Sequence, residues 1–338
     1  MMMSASRFKA LMLKETDDGV APSIEWLGVD DLPDGDVVVD VHYSSINYKD
    51  AMALANRGII RTFPAIPGID LAGVVATSAD ARFRPGDPVV LTGWGLGERR
   101  WGGFTQVERV NADWLVPLPP GLTLRQAMGI GTAGLTSMLC VLALEHHDVR
   151  PASGEILVTG ASGGVGSLAI VILSQLGYRV VAMTGRPGHD GYLKSLGASR
   201  TIGRDDYVTP RKPGRHGMEP ELFAGVVDTV GGPVLSTALA RLSYGGCVAV
   251  CGLVGGIELE TTVFPFLLRG VTVAGIDSVR CPTPRRVEAW QRLAQCVPGA
   301  LLDGMIREVP LEQVVDAAGE LAKGQGHGRT VVNLRAAP

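Results

Sequence analysis

Ile156-Leu157-Val158-Thr159-Gly160-Ala161-Ser162-Gly163-Gly164-Val165-Gly166-Ser167 decides the fold. An apolar, β-branched run enters a glycine cluster. A helical pattern leaves it, with Leu168, Ile172 and Leu176 on one face. Glycine lets the backbone turn tightly and lets a pyrophosphate approach it, while the following helix start offers free N–H donors and a positive dipole. Ala161-x-Gly163-x-x-Gly166 is the dinucleotide fingerprint with alanine in the first glycine slot. The candidate phosphate contacts are Ser162, Gly163, Gly164, Val165 and Gly166.

The next strand runs Tyr178-Arg179-Val180-Val181-Ala182-Met183 and ends in Thr184-Gly185-Arg186. A unit that binds NADH carries an acid about 20 positions past its glycines, bonded to the ribose 2′-hydroxyl. No Asp or Glu stands there. A guanidinium suits a 2′-phosphate that an aspartate would repel, so the expected cofactor is NADPH, held at Thr184, Gly185 and Arg186. Lys194 and Arg204 are candidates for a second positive contact.

Outward from this unit, strands and helices alternate. Strand-like runs are Glu155–Thr159, Arg179–Met183, Gly225–Val230, Gly246–Cys251 and Val271–Ile276, with helical patterns at Val165–Leu176 and Pro233–Leu242. Strands joined by crossover helices predict a doubly wound parallel sheet covered on both faces. A long apolar helix is expected from Thr123 to about Glu145, broken at Gly129, Gly131 and Gly134. Before Pro117-Leu118-Pro119-Pro120-Gly121 the chain is β-rich. Phe8–Leu13, Asp36–Tyr43, Leu71–Ala76 and Asp87–Leu91 read as short strands between turns, which predicts a partly open barrel. Helices near Thr283–Val297 and Leu311–Lys323 and a strand at Arg329–Leu334 close the chain.

Composition sets the class. At 338 residues, 46% hydrophobic and 19% charged, the chain has room for two globular domains at about 150 residues each. A net charge of −3 and the lack of an aromatic–basic stripe argue against nucleic acid as partner. The short basic cluster Arg211, Lys212, Arg215 and His216 reads as a solvated loop. Cys140, Cys247, Cys251, Cys281 and Cys296 form no CxxC and are expected as buried, reduced thiols. Met1–Lys14 shows no secretory pattern, no stretch is expected to span a membrane, and a cytoplasmic protein is expected.

The whole chain resembles the medium-chain dehydrogenase/reductase superfamily. Within it the chain is most similar to the quinone oxidoreductase-like branch that holds NADPH-dependent acryloyl-CoA reductases. The phrases that carry this are Asn47-Tyr48-Lys49-Asp50, Pro67-Gly68-Ile69-Asp70-Leu71-Ala72-Gly73, Leu91-Thr92-Gly93-Trp94, Trp101-Gly102-Gly103, Gly131-Thr132-Ala133-Gly134, Thr184-Gly185-Arg186, Gly275-Ile276-Asp277-Ser278-Val279 and Gly328-Arg329-Thr330-Val331-Val332. The resemblance implies an α/β protein: a GroES-like barrel as catalytic domain (residues 1–128 and 300–338) and a Rossmann NADPH-binding domain (129–299). It also implies a homodimer paired through the 271–276 strand.

Zinc alcohol dehydrogenases place a cysteine ligand where this chain reads Ile46-Asn47-Tyr48, and Gly-His-Glu where it reads Gly68-Ile69-Asp70. No cysteine precedes Cys140, so neither zinc ligand set can be assembled. No metal is expected, and the His146-His147 pair is no substitute. Hydride addition then favours a C=C already conjugated to a carbonyl, and the enolate that forms needs a donor. The resemblance puts Tyr48 beside the nicotinamide, where a phenol can donate; the alternative is a core tyrosine with a satisfied hydroxyl. Asn47, Asp50 and Asp70 are further candidates, Asp70 as an orienting group. The resemblance also points to Arg204, Leu253, Leu267 and Ser278 around the ribose and nicotinamide.

The expected reaction is NADPH-dependent reduction of a short enoyl-CoA, acryloyl-CoA to propanoyl-CoA. The alternatives are a reductase of quinones or free α,β-unsaturated carbonyls, and a non-catalytic NADPH-binding protein. A CoA tail would use cations such as Arg57, Arg61, Arg99 and Arg100.

Overall fold

The structure is a computed structural model that describes residues 7–17, 19–208 and 217–336. The cluster Arg211, Lys212, Arg215 and His216 and the first three methionines lie outside the described residues. Contacts divide the chain into two compact units, one of Met1–Thr132, Val279–Ala294 and Gly299–Pro338, the other of Ala133–Ser278 and Gln295–Pro298.

The first unit opens with a hairpin, β1 (Phe8–Thr16) and β2 (Gly19–Leu27), in antiparallel register from Phe8↔Leu27 to Thr16↔Gly19. β3 (Val37–Ile46) buries Val37, Val39 and Val41 on one face, the period of two expected of a half-covered strand. Next come α1 (Tyr48–Leu54), β4 (Asp70–Ser78), β5 (Pro88–Thr92), β6 (Val107–Val110), β7 (Val116–Pro117) and α2 (Leu124–His146). The strands form one sheet in the order β3-β4-β5-β7, with β6 also on β3, and two strands from the chain's end extend it on the β3 side. Gly73 is where β4 presses closest on β3, since a Cβ there would lie 2.2 Å from the Asp40 carbonyl oxygen. The core between these strands holds Leu11, Val39, Leu71, Leu91 and Phe104.

The second unit contains β8 (Glu155–Val158), α3 (Gly164–Gln175), β9 (Arg179–Thr184), α4 (Asp190–Ser195), β10 (Arg200–Gly203), α5 (Arg204–Tyr207), β11 (Phe223–Asp228), α6 (Gly232–Arg241), β12 (Leu242–Val250), α7 (Phe264–Arg269) and β13 (Thr272–Gly275). All six strands pair in parallel, in the order β10-β9-β8-β11-β12-β13. The chain winds one way from β8 to β10 and the other from β11 to β13. The switch point therefore lies between β8 and β11, where such sheets bind ligands at their carboxyl ends. α8 (Thr283–Cys296), α9 (Gly299–Met305), β14 (Ile306–Pro310), α10 (Val314–Ala322) and β15 (Arg329–Asn333) complete the chain. β15 returns to the first sheet and pairs antiparallel with β3, Thr330 opposite Ile46.

Three expectations are corrected. α2 breaks only at Gly131 (φ 50°, ψ −156°); Gly129 and Gly134 remain helical. α2 is also long and apolar enough to cross a membrane, against the expectation that no stretch is, but 89% of the relevant window is buried inside the protein, as in a core helix. The hairpin strand β2 was not anticipated, because Gly19, Pro22, Ser23 and Glu25 hide any alternation and most of the strand is exposed.

Candidate functional site

In the second unit β8 delivers its backbone to Gly160, which turns at φ 57°. Gly163 caps α3 in an extended conformation, and the first intrahelical bond runs from the Ser167 N–H to the Gly163 carbonyl at 2.9 Å. By helix geometry the N–H groups of Gly164, Val165 and Gly166 are left for a ligand. Gly166 is required for another reason: a Cβ there would stand 2.5 Å from the Gly160 carbonyl oxygen, so only glycine lets α3 close on the turn.

Thr184 ends β9 beside Gly203 of β10. Its Oγ1 lies 3.2 Å from Ser162 Oγ and accepts from the Arg186 N–H at 3.1 Å. A Cβ on Gly185 would meet the Arg204 guanidinium at 3.1 Å, so Arg204 lies over the Gly185 backbone. Ser162, Thr184, Gly185, the Arg186 N–H and the Arg204 guanidinium thus come together at the end of β9, a strand that closes without an acid of its own, and these donors fit a 2′-phosphate. Arg204 also pairs with Asp205 at 3.2 Å. Lys194 is exposed on α4. Leu253, in the turn after β12, and Leu267, on α7, are 65% and 75% exposed, apolar surfaces open to a ring. Ser278 Oγ accepts from Thr136 Oγ1 at 2.9 Å.

Sequence reasoning passed over Asp228. At the end of β11 its carboxylate accepts from Thr159 Oγ1 at 2.7 Å and from the Gly231 N–H at 2.8 Å. It ties the β8 and β11 ends together at the switch point. Burial pushes its carboxyl up, against the pull of those hydrogen bonds. The only local signal was an acid closing an otherwise apolar strand.

In the first unit Tyr48 is the first residue of α1 and is 49% exposed, so the reading as a buried core tyrosine is set aside. Asn47 caps this helix: its N–H donates to Asp50 Oδ2 at 2.8 Å, while Asp50 Oδ1 accepts from the Ile69 N–H at 2.9 Å. Beneath them lies a buried hub. Asp70 Oδ2 accepts from Ser45 Oγ at 2.6 Å, Asn47 Nδ2 at 2.9 Å and the Thr132 N–H at 2.9 Å; its Oδ1 accepts from Thr132 Oγ1 at 2.5 Å. Asp70 therefore supplies the cap that the chain lacks where α2 restarts after Gly131. A side chain at Gly131 would collide with Asp70 Oδ2 at 2.6 Å. From β15, Arg329 donates to Asn47 Oδ1 at 3.0 Å, Ser45 Oγ at 3.2 Å and the Gly129 carbonyl at 3.0 Å. Burial, and next the charge of Asp70, push the Asp50 carboxyl up to about 7. Ser45, Thr132 and Arg329 were absent from the sequence-derived site, because their roles arise from pairing across the sheet.

Arg286, fully buried on α8, donates to the Thr92 carbonyl at 2.7 Å and lies 5.2 Å from the Trp94 ring. It braces the 93–97 turn, in which Trp94 has φ 56°. The His146 and His147 rings meet edge-on at 5.1 Å. Among the described residues no three His, Cys, Asp or Glu side chains come together to hold a metal. Cys140, Cys247 and Cys281 are buried free thiols, whereas Cys251 and Cys296 are partly exposed, which corrects the expectation for those two. A hydrogen bond with Cys251, then burial, raises the Cys140 thiol, and burial pushes Cys247 up to about 11.

Known proteins are similar to this chain over nearly its whole length. The family described as Alcohol dehydrogenase GroES-like domain matches residues 33–120, and that described as Zinc-binding dehydrogenase matches 164–296. The chain is 52% identical to a probable acrylyl-CoA reductase AcuI of Escherichia coli over 96% of its own length and 99% of the relative's. It is 49% identical to the acrylyl-CoA reductase AcuI of Ruegeria pomeroyi, covering 97% of this chain and 100% of that one. The crystal structure of the yhdH oxidoreductase of Salmonella enterica in complex with NADP superposes with a TM-score of 0.93 at 51% identity, over 96% of this chain and 99% of that one. The zinc in the second family's description finds no ligand set among the described residues.

Proposed function

The chain belongs to the quinone oxidoreductase-like branch of the medium-chain dehydrogenase/reductase superfamily, and from that premise we propose that it reduces the C=C of acryloyl-CoA to give propanoyl-CoA at the expense of NADPH. The observation that carries this reading is near-full-length identity of about half to two acrylyl-CoA reductases. The end of β9, Thr184-Gly185-Arg186 with no acid among them, agrees with it.

NADPH, when bound, would supply the hydride for the β-carbon of the enoyl thioester, and a proton from solvent would complete the reduction at the α-carbon. The residues prepare for this. The N–H groups of Gly164, Val165 and Gly166 take the pyrophosphate, and Thr184, Gly185, Arg186 and Arg204 take the 2′-phosphate. Leu253, Leu267 and Ser278 border the ribose and nicotinamide. Tyr48 donates its O–H where negative charge develops on the thioester oxygen. Asn47 and Asp70 are buried and bonded to protein groups, so they position Tyr48 rather than react. The protein acts in the cytoplasm as a homodimer, joined through β13. That strand is an edge of its sheet among the described residues, and Val273 on it exposes apolar surface. Sedimentation of the purified protein tests the dimer; a monomer at micromolar concentration would dismiss it.

The activity is tested by NADPH oxidation with acryloyl-CoA, crotonoyl-CoA and a simple quinone. The expected kcat/KM for acryloyl-CoA exceeds the others by at least about tenfold. A quinone in first place replaces this reading with that of a quinone reductase. Tight NADPH binding without turnover of any of the three leaves a non-catalytic NADPH-binding protein.

A further inference from the structure

Two segments of the first unit carry an excess of positive charge in a chain whose net charge is −3. The first is α1 with the loop after it, residues 48–64, which contains Lys49, Arg57 and Arg61; its one acid, Asp50, is buried. The second is the 93–103 turn, with Arg99, Arg100 and Glu98. The segments adjoin: Trp101 Nε1 donates to the Pro64 carbonyl at 3.2 Å, and the Gly102 N–H to the Ile66 carbonyl at 2.7 Å. Lys49, the residue after Tyr48, binds Glu98 at 3.2 Å. That pair engages Glu98, the one acid of the two segments besides Asp50, and moors the turn to the helix bearing Tyr48.

The arginines divide by what they touch. The Arg100 guanidinium stacks over the Trp114 ring at 4.2 Å, which accounts for it. Arg99 is 85% exposed and reaches Glu98 only at 3.8 Å. Arg57 and Arg61 are exposed and make no side-chain hydrogen bond or ion pair among the described residues. Their loop is nonetheless held. Between them Ile60 is buried with Leu13, Ala53 and Ala65 in a satellite core, against which Ile59 and Phe63 pack. The N–H groups of Leu13 and Ala65 bond to each other's carbonyls at 2.8 and 3.0 Å, and the Arg57 N–H bonds to the Met52 carbonyl at 2.9 Å. Three guanidinium groups thus stand on an anchored backbone, facing water, with their local acid already neutralised.

We propose that Arg57, Arg61 and Arg99 form a phosphate-recognition rim for the 3′-phosphoadenosine diphosphate end of a coenzyme A thioester. The proposal rests on the enoyl-CoA reading above. Arginine suits the task, because its planar fork matches phosphate oxygens and its weak hydration lowers the cost of the contact. The thioester lies at Tyr48, and the phosphates at the far end of the pantetheine arm fall to the rim. The same chemistry could serve NADPH phosphates, so the test separates the two sources.

The assay compares KM for acryloyl-CoA with KM for acryloyl-pantetheine, which has the same thioester and arm without the phosphates. In the wild type the CoA thioester is expected to have a KM lower by about tenfold, an advantage that weakens with added salt. In the Arg57→Gln, Arg61→Gln, Arg99→Gln triple variant that ratio falls toward one. A ratio that the variant leaves intact, or a wild-type ratio near one, overturns the rim and leaves the reductase reading in place. A rise in KM for NADPH measured with acryloyl-pantetheine assigns the arginines to the cofactor and likewise overturns the proposal. A wild-type enzyme inert toward both thioesters removes the enoyl-CoA reading and the rim with it.

Discussion

Neutralising Glu108 should make this protein less sensitive to alkali. Glu108 faces inward from β6, opposite Val39 of β3, and is 1% exposed. Its Oε1 accepts from the Arg109 N–H at 3.2 Å, and Oε2 has no hydrogen-bond partner. Burial pushes the carboxyl from 4.5 up to about 8, with the Arg109 bond and charge pulling only partly back. The native state therefore holds the proton more tightly than the unfolded chain. Its stability relative to the unfolded chain is fully present below about pH 4.5 and is lost as pH rises through about 8. At about 1.4 kcal/mol per pH unit that gap sets a ceiling of about 4–5 kcal/mol, and local relaxation and water entry bring the expected loss to about 2–3 kcal/mol. Glu108→Gln keeps the shape and removes the titration. Urea unfolding at about pH 5 and about pH 9, at one protein concentration, should show the variant gaining about 2–3 kcal/mol on the wild type between the two pH values. A difference that does not move with pH refutes the reasoning, since it would mean that Glu108 is ionised and solvated in the native state.

Asp70→Asn puts an amide among donors and leaves Arg329 buried beside a neutral hub, so an unfolding free energy lower by about 3 kcal/mol is expected; a loss below about 1 kcal/mol counts against the hub. Tyr48→Phe should lower kcat by about tenfold to a hundredfold with little change in KM for NADPH, and an undiminished kcat removes Tyr48 from the chemistry. Arg186→Gln should reduce the preference for NADPH over NADH by about tenfold in kcat/KM, and an unaltered preference would shift the 2′-phosphate contact to Arg204. Gly166→Ala forces a methyl against the Gly160 carbonyl, 2.5 Å from where its Cβ would stand, and should weaken NADPH binding measured by fluorescence titration; wild-type affinity would show that the turn can give.

Local rules account for what could be read early. β8, the glycine turn and α3 are contiguous, and each signals its own conformation: an apolar run, a residue at positive φ, an apolar helical face. The missing acid at the end of β9 is likewise a matter of a few adjacent residues, so the NADPH expectation needed no tertiary information. Short edge elements were lost because their local signal is weak. β10 has four residues and α5 four, and both are largely exposed, so neither periodicity has room to develop.

Side-chain direction and long-range pairing lie outside such rules. In β6 the sheet register turns Glu108 into the core and leaves Val107 partly exposed, the reverse of what hydrophobicity predicts for these two residues. Asp70 reads as an orienting acid at the head of a strand, but only the fold brings Thr132, 62 residues on, to its carboxylate. Arg329 and Asn47 stand 282 residues apart and meet because β15 pairs with β3. The sequence by itself determined the nucleotide-binding unit, the choice of 2′-phosphate over 2′-hydroxyl and the lack of a zinc ligand set, because these depend on residue types at close spacing. Tertiary structure alone decided which polar residues gather beneath Tyr48 and which carboxyl is buried with one oxygen left without a hydrogen bond. Those depend on sheet register and chain return, which no short stretch of sequence encodes.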